Sequence, residues 1–258
     1  MASSGRARST PTASERSRLH SGGESCQAPA VLQLVLPVAA VMALDAALLT
    51  ALAWAYHAPR FADRRISPMP PLRVSPRERL LHIVGNSTLS LLFVVGLLAA
   101  IQGFAIRLGS VTWWRVPVDA AAIVLVYDFL YYWFHRTLHH RRLMPFVHSV
   151  HHRAKNPSAL ESFYLHPVEL FGGLALLHLS VALYAAVVGP VHAYVYAVVF
   201  LVHSTFNIIV HAGITTGHWL LTPFDLLAKK HSVHHKDDFN KNYASLTPIP
   251  DWVFRTSS

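Results

Sequence analysis

Residues 116–152 read VPVDAAAIVLVYDFLYYWFHRTLHHRRLMPFVHSVHH. An apolar stretch of membrane-spanning length passes without a break into two histidine clusters, HRTLHH (135–140) and HSVHH (148–152), and HSVHH recurs at 231–235. The three clusters hold nine of the eighteen histidines: His135, His139, His140, His148, His151, His152, His231, His234 and His235. Spacings of three and four residues stack side chains on one face of a helix, so each cluster is expected to aim several imidazoles at one point. Imidazole is the commonest protein ligand for iron, zinc and copper, whereas calcium and magnesium prefer oxygen. Nine rings exceed the needs of one ion. The expectation is a transition-metal centre in which two ions share the set.

Composition says where such a centre sits. With 53% hydrophobic and 14% charged residues, the chain is too apolar for an ordinary soluble domain. Apolar runs cover residues 30–56, 80–106, 116–134, 168–188 and 191–210, each close to or above the length that crosses a bilayer core. Gly189-Pro190 breaks the last two into a helical hairpin. The fold class expected is all-α: a polytopic membrane bundle with a histidine-rich helical cap. Asp45, Asp119 and Asp128 lie inside the runs, where a charge is expensive and faces the protein interior.

Alternating the runs as crossings puts residues 57–79, 135–167 and 211–258 on one side, together with every histidine cluster and sixteen of the twenty-two Lys and Arg. The positive-inside rule then makes the metal face cytoplasmic. The net charge of +9 matches anionic lipid head groups at that surface, and nucleic acid is not expected as a partner. Residues 1–28, rich in Ser and Arg and without hydrophobic periodicity, read as a disordered tail, and 29–258 as one membrane-embedded domain. The lone cysteine, Cys26, excludes an intrachain disulfide, a zinc ribbon and an iron–sulfur cluster. Residues 57–79, with five prolines, read as an extended surface connection.

Asp128, His135 and His139 fall at i, i+7 and i+11, close to one face of the third apolar helix. A metal-bound histidine usually gives its second N–H to a carboxylate or carbonyl, so Asp128 is a candidate to orient His135 from behind; the alternative is a hydrogen bond to a neighbouring helix. The two HSVHH runs read as short interfacial helices. His203, Asn207 and His211 form a polar stripe on the last apolar run, which makes His211 a candidate ligand and His203 a further one. His166, in YLHPVE, is a candidate ligand, a group that orients a ligand from behind, or a helix cap, while His178 and His192 read as structural.

The ordered series DFLYYWFHRTLHH, FVHSVHH, LHPVE, HAG and HSVHHKDDFNKNYAS, over residues 118–256, resembles the fatty acid hydroxylase and sterol desaturase superfamily of integral-membrane, histidine-ligated two-metal oxygenases. The resemblance implies His135, His139, His148, His151, His152, His211, His231, His234 and His235 as metal ligands, with His140 as a further candidate beside the His166 and His203 that the residues themselves suggest. Asn207 stands where certain members place a further histidine. The family's WDxxFGT-like tail is here PDWVFRT, with Pro250 and Arg255 departing from it.

The chemistry implied is O2-dependent hydroxylation or desaturation of a lipid, a sterol or a fatty acyl chain, at two iron ions, with zinc as a metal that an isolated preparation can carry instead. Unactivated C–H bonds do not yield to acid–base or nucleophilic groups, so a redox metal is required. Tyr127, Tyr131, Trp133, Phe163 and Tyr164 are candidate lining residues of the lipid site, the alternative being an aromatic belt at the membrane interface. The chain carries no HPGG segment and no flavin or nicotinamide fingerprint, so electrons are expected from a separate ferredoxin or cytochrome b5-type donor on the basic face. The alternative is a membrane metal transporter or metal-binding protein, which would set ligands near the midplane along a path open to both sides. A zinc hydrolase is disfavoured because no HExxH occurs.

Overall fold

Five long helices form where the apolar runs predict them. The structure, a computed structural model, describes residues 27–68, 75–236 and 238–258. Of the expected N-terminal tail, residues 1–26 lie outside the described residues, and 27 and 28 already open the first helix. The helices are α1 (Gln27–His57), α2 (Pro76–Ala105), α3 (Arg115–Leu138), α4 (Pro167–Val188) and α5 (Ala193–Val210), followed by α6 (Thr222–Lys236) and the short α7 (Ile249–Val253). The first five are long and apolar enough to cross a membrane, and the chain is a multi-pass membrane protein.

Local chemistry starts and stops these helices. Ser75 caps α2 by accepting the Glu78 amide at 3.1 Å, and Pro76 occupies the first position, where a missing N–H costs nothing. His166 and His192 cap α4 and α5 through their Nδ1 atoms, which accept the amides of Val168 and Tyr194. Gly189, at φ 109°, takes the left-handed conformation that ends α4 and turns the chain into α5. Opposite the histidines, Ile106–Arg107 and Val191–His192 (β1 and β2) pair in parallel and tie the hairpin to the end of α2.

In the bundle α1 packs on α5, α2 on α4, and α3 on both α4 and α5. Gly172 allows the tightest of these approaches, because a Cβ there would enter the Phe134 ring of α3. The core holds Ile123, Tyr127, Leu177, Val181, Tyr196 and Val199, while the outward faces of α1 and α2 remain apolar and exposed, as lipid contact requires. The three aspartates inside the runs all face protein. Asp119 accepts the Tyr184 hydroxyl at 2.8 Å and pairs with Arg115, Asp128 accepts three donors from residues 246 and 247, and Asp45 accepts the Thr205 hydroxyl at 2.9 Å.

On the histidine side, the connection after α1 forms a 3-10 helix (Pro59–Arg64) and a bridge from Arg65 to Ile214, while its residues 69–74 lie outside the described residues. The HSVHH run at 148–152 departs from its expected helix. Pro145, which lacks an amide hydrogen, sits in a series of turns over 141–150 that ends in a 3-10 turn, His151–Arg153. The second HSVHH lies on a true helix, α6.

Candidate metal centre

Four segments deliver the histidines. The last turn of α3 brings His135 and His139, the turns after it His148, His151 and His152, the end of α5 His211, and α6 His231, His234 and His235. All nine expected ligands come together, and all but His139 are buried.

They sort into two groups. His135, His139, His148, His152 and His234 form one; His151, His211, His231 and His235 form the other, with the ligating atoms of each group within 4.8 Å of one another. The expectation that each cluster aims at a single point is corrected here. In the first HSVHH, His148 and His152 enter the five-histidine group and His151 the other. In the second, His231 and His235 enter the four-histidine group and His234 the first. Positions four apart lie on one helical face, whereas the third position is rotated towards the neighbouring group.

The geometry fits a metal. In the larger group Nε2 atoms approach at 2.9 Å (His135–His148), 3.1 Å (His139–His234 and His148–His152) and 3.2 Å (His135–His234). In the smaller, the separations are 3.1 Å (His151–His211), 2.9 Å (His211–His231) and 3.0 Å (His231–His235). Imidazole nitrogens about 2.0–2.1 Å from an ion and at right angles to each other stand about 3 Å apart.

Tautomers strengthen the fit. Nδ1 of His135 donates to the Tyr243 carbonyl at 2.7 Å, that of His234 to Lys241 O at 2.6 Å, that of His151 to Tyr164 O at 3.2 Å and that of His211 to Asn207 O at 2.7 Å. A carbonyl only accepts, so these rings carry the proton on Nδ1 and a bare lone pair on Nε2. Two such lone pairs face each other in His135–His234 and again in His151–His211. They repel unless a cation lies between them. Protons do not fill that role at neutral pH, because burial pushes His139, His211 and His234 down to about 3 and His151 down to about 4. Burial likewise holds His148, His152, His231 and His235 below the ordinary imidazole range. A set of neutral, buried, all-nitrogen donors suits iron, zinc or copper.

Against known proteins, the model of the fatty acid hydroxylase family matches residues 120–256, which carry the whole of this constellation. The chain belongs to that family. Its relatives within the wider fatty acid hydroxylase and sterol desaturase superfamily include a very-long-chain aldehyde decarbonylase of Oryza sativa subsp. indica, 32% identical over 151 residues, or 55% of this chain and 53% of that protein. Methylsterol monooxygenase 2-2 of Arabidopsis thaliana is 31% identical over 154 residues (56% and 54%), and lathosterol oxidase of Mus musculus 32% over 141 residues (55% and 45%). The chain thus spans about half the length of the curated relatives it matches. No solved structure matches it.

Several residues of this fatty acid hydroxylase domain sit elsewhere than the sequence suggests. Asp128 does not reach His135, whose Nδ1 is taken by Tyr243. It accepts the amides of Leu246 and Thr247 at 3.1 and 2.9 Å and the Thr247 hydroxyl at 2.6 Å, and so fastens the C-terminal segment to α3. His140 is exposed, because the helix ends at Leu138 and the next residues turn outward. His166 is the cap of α4 and belongs to neither group. His203 lies two helical turns before His211, edge-on to Tyr127 at 4.9 Å, and also belongs to neither.

Other residues of the site stand inside the motifs LHPVE, HSVHHKDDFNKNYAS and PDWVFRT, which give them no role of their own. Glu169 sets Oε2 2.9 Å from Nδ1 of His148, at ion-pair distance though off the line of a good hydrogen bond. In the sequence it reads only as an acid in the first turn of a helix. The carbonyls of Lys241 and Tyr243 are aimed by a loop that Asp251 holds, accepting the Tyr243 and Ala244 amides and the Thr256 hydroxyl. Asn242, at φ 56°, turns the chain between those two carbonyls.

A cavity of about 300 Å³ leads from the histidines into the bundle between α1, α2, α3, α4 and α5. Tyr127, Tyr131 and Phe163 line it as expected. Trp133 does not: it is half exposed and packs edge-on against Phe254. Tyr164 is buried beside the cavity, with its hydroxyl on Glu78. His151, His211 and His231 border the cavity from the four-histidine group, and His135 alone from the other.

Proposed function

We propose that the protein is a membrane-bound non-haem di-iron oxygenase that hydroxylates or desaturates a lipid, with O2 and electrons from a separate donor. The observation that carries the reading is the pair of facing lone-pair sets at the mouth of an apolar cavity inside a membrane bundle. The family and its relatives, named for sterol monooxygenation, sterol oxidation and aldehyde decarbonylation, support lipid oxidoreduction as the chemistry. Residues 29–258 act as one unit in this reading, with the metal face in the cytoplasm, as the Lys and Arg asymmetry favours.

His135, His139, His148, His152 and His234 would hold one iron, and His151, His211, His231 and His235 the other. When bound, the iron pair supplies the reduction of O2 and the removal of hydrogen from an unactivated carbon. The protein supplies placement and dryness. The carbonyls behind His135, His151, His211 and His234 hold those rings in one tautomer and one orientation. The cavity admits an apolar chain or ring system from the bilayer side and brings one carbon to the four-histidine group. Exposed Arg136, Arg141 and Arg142 near the end of α3 give an acidic electron donor a basic face on which to dock.

The test is elemental analysis of detergent-purified protein together with lipid mass spectrometry of cells that express wild type or His151→Ala. Two irons per chain, and a lipid that gains one oxygen or loses two hydrogens only with the wild type, are expected. Two zincs and no lipid change would remove the oxygenase reading while leaving the coordination, and absence of bound metal would remove both.

A further inference from the structure

We propose that the inner end of the cavity is a hydroxyl-binding site built on Asp45, which seats the end of the lipid remote from the carbon presented to the histidines. This rests on the lipid-oxygenase reading and names the kind of lipid. Of the three aspartates within the membrane helices, Asp128 accepts three donors from the protein and Asp119 two, from Tyr184 and Arg115. Asp45 accepts the Thr205 hydroxyl at 2.9 Å, has the Ser204 hydroxyl as its other polar neighbour, and lines the cavity. An ionisable group at that depth is costly, and a carboxylate with lone pairs to spare, on the wall of a cavity, calls for a donor from whatever fills it.

The surroundings agree. His203 and Ser204, adjacent to Thr205 on α5, line the same cavity, and Nδ1 of His203 is buried without a partner. Tyr127, edge-on to His203, borders the cavity with a hydroxyl that makes no hydrogen bond among the described residues. His203 precedes His211 by eight residues, which is about 12 Å along a helix. Between these two levels the wall includes Ile208, Leu170 and Leu174.

A ligand that matches this cavity is apolar along its length and carries a neutral donor about 12 Å from the carbon that meets the histidines. A carboxylate or phosphate at that end would be repelled by Asp45. A methyl end would leave Asp45 and His203 unpaired in a dry site. A hydroxyl satisfies the carboxylate.

The experiment is equilibrium binding to purified protein in nanodiscs, with two probe pairs: cholesterol against its 3-deoxy counterpart, and octadecanol against octadecane. Wild type is expected to bind the hydroxyl member of one pair about tenfold more tightly, as a hydrogen bond to a charged group allows, and the pair that shows it tells ring from chain. Asp45→Asn, which keeps the size and the Thr205 contact, should lose most of the preference, and Asp45→Leu all of it. Deoxy-lipid binding at least as tight as in wild type and unchanged metal content report that the variants are folded. Equal binding of both members of both pairs by wild type, or full preference retained in folded Asp45→Leu, would overturn the proposal. The readout does not depend on turnover. A hydroxyl preference without any lipid conversion would sink the oxygenase reading alone, and His151-dependent conversion without the preference would sink this one.

Discussion

The two histidine groups are built from the same residue type and share the turns at 148–152 and α6, yet α3 completes one and the end of α5 the other, and they face different surroundings. The five-histidine group is enclosed by the ends of α3 and α6 and the C-terminal loop, and reaches the cavity only through His135. The four-histidine group has one ring fewer and presents His151, His211 and His231 to the cavity. Metal sites that hold structure are closed by protein ligands, and sites that react keep a position open. On the proposed function, substrate contact would fall to the four-histidine group and anchoring to the five.

The sharpest way to break this assignment is to remove one ring from each group. His211→Ala should eliminate lipid conversion and lower the metal content from two towards one per chain. His152→Ala, which leaves four rings in the larger group, should retain more of both. A larger loss in His152→Ala, by lipid mass spectrometry and elemental analysis, would reverse the roles. Next in size is Glu169→Gln, whose carboxylate pairs with His148 of the larger group: metal affinity of that group should fall about 10- to 100-fold, with the smaller group unaffected in a stepwise metal titration.

Acid should act on both groups. In the unfolded chain these imidazoles take up protons near pH 6.5, whereas in the folded protein His151 does so at about 4 and His139, His211 and His234 at about 3. Below pH 6.5 the unfolded state therefore binds more protons, and the stability of metal-free protein falls as pH drops from about 6.5 towards about 3. Bound metal should delay this fall, because it competes for the same lone pairs. Thermal unfolding with and without chelator across that window measures it; a flat profile would mean that the rings are more hydrated than their burial indicates.

A smaller effect is expected from Asp128→Asn. It places an amide NH2 against backbone donors and should cost about 1–3 kcal/mol of stability, read as a lower melting temperature, with residual turnover per folded molecule preserved. A selective loss of turnover would restore a direct role for Asp128 at the metal. The smallest is His140→Ala, which should change conversion less than twofold, since its exposed ring reaches neither group.

Much of the molecule was legible beforehand for simple reasons. Five apolar runs became five helices because a bilayer core leaves the backbone no other way to satisfy itself. Nine histidines read as ligands did converge, because boxes at three- and four-residue spacing were already local neighbours. Where the sequence leaves alternatives open, tertiary contacts decide between them. Asp128 was placed near His135 by helical phase, but phase does not show that the C-terminal loop arrives with a carbonyl for His135 and two amides for Asp128. His166 and His140 were candidates by residue type, and a cap geometry and a helix end decided them.

The sequence by itself determined that this is a membrane helix bundle carrying clustered imidazoles at one set of helix ends, since hydropathy and short-range spacing are properties of consecutive residues. Only the tertiary structure decided how those imidazoles divide. The split of each HSVHH between two groups, the pairing of Glu169 with His148 and the placing of Lys241 and Tyr243 carbonyls behind His234 and His135 join residues from 7 to 108 positions apart. Contacts across such separations depend on how α3, α4 and α6 pack, and that packing is set by shape, not by any local pattern.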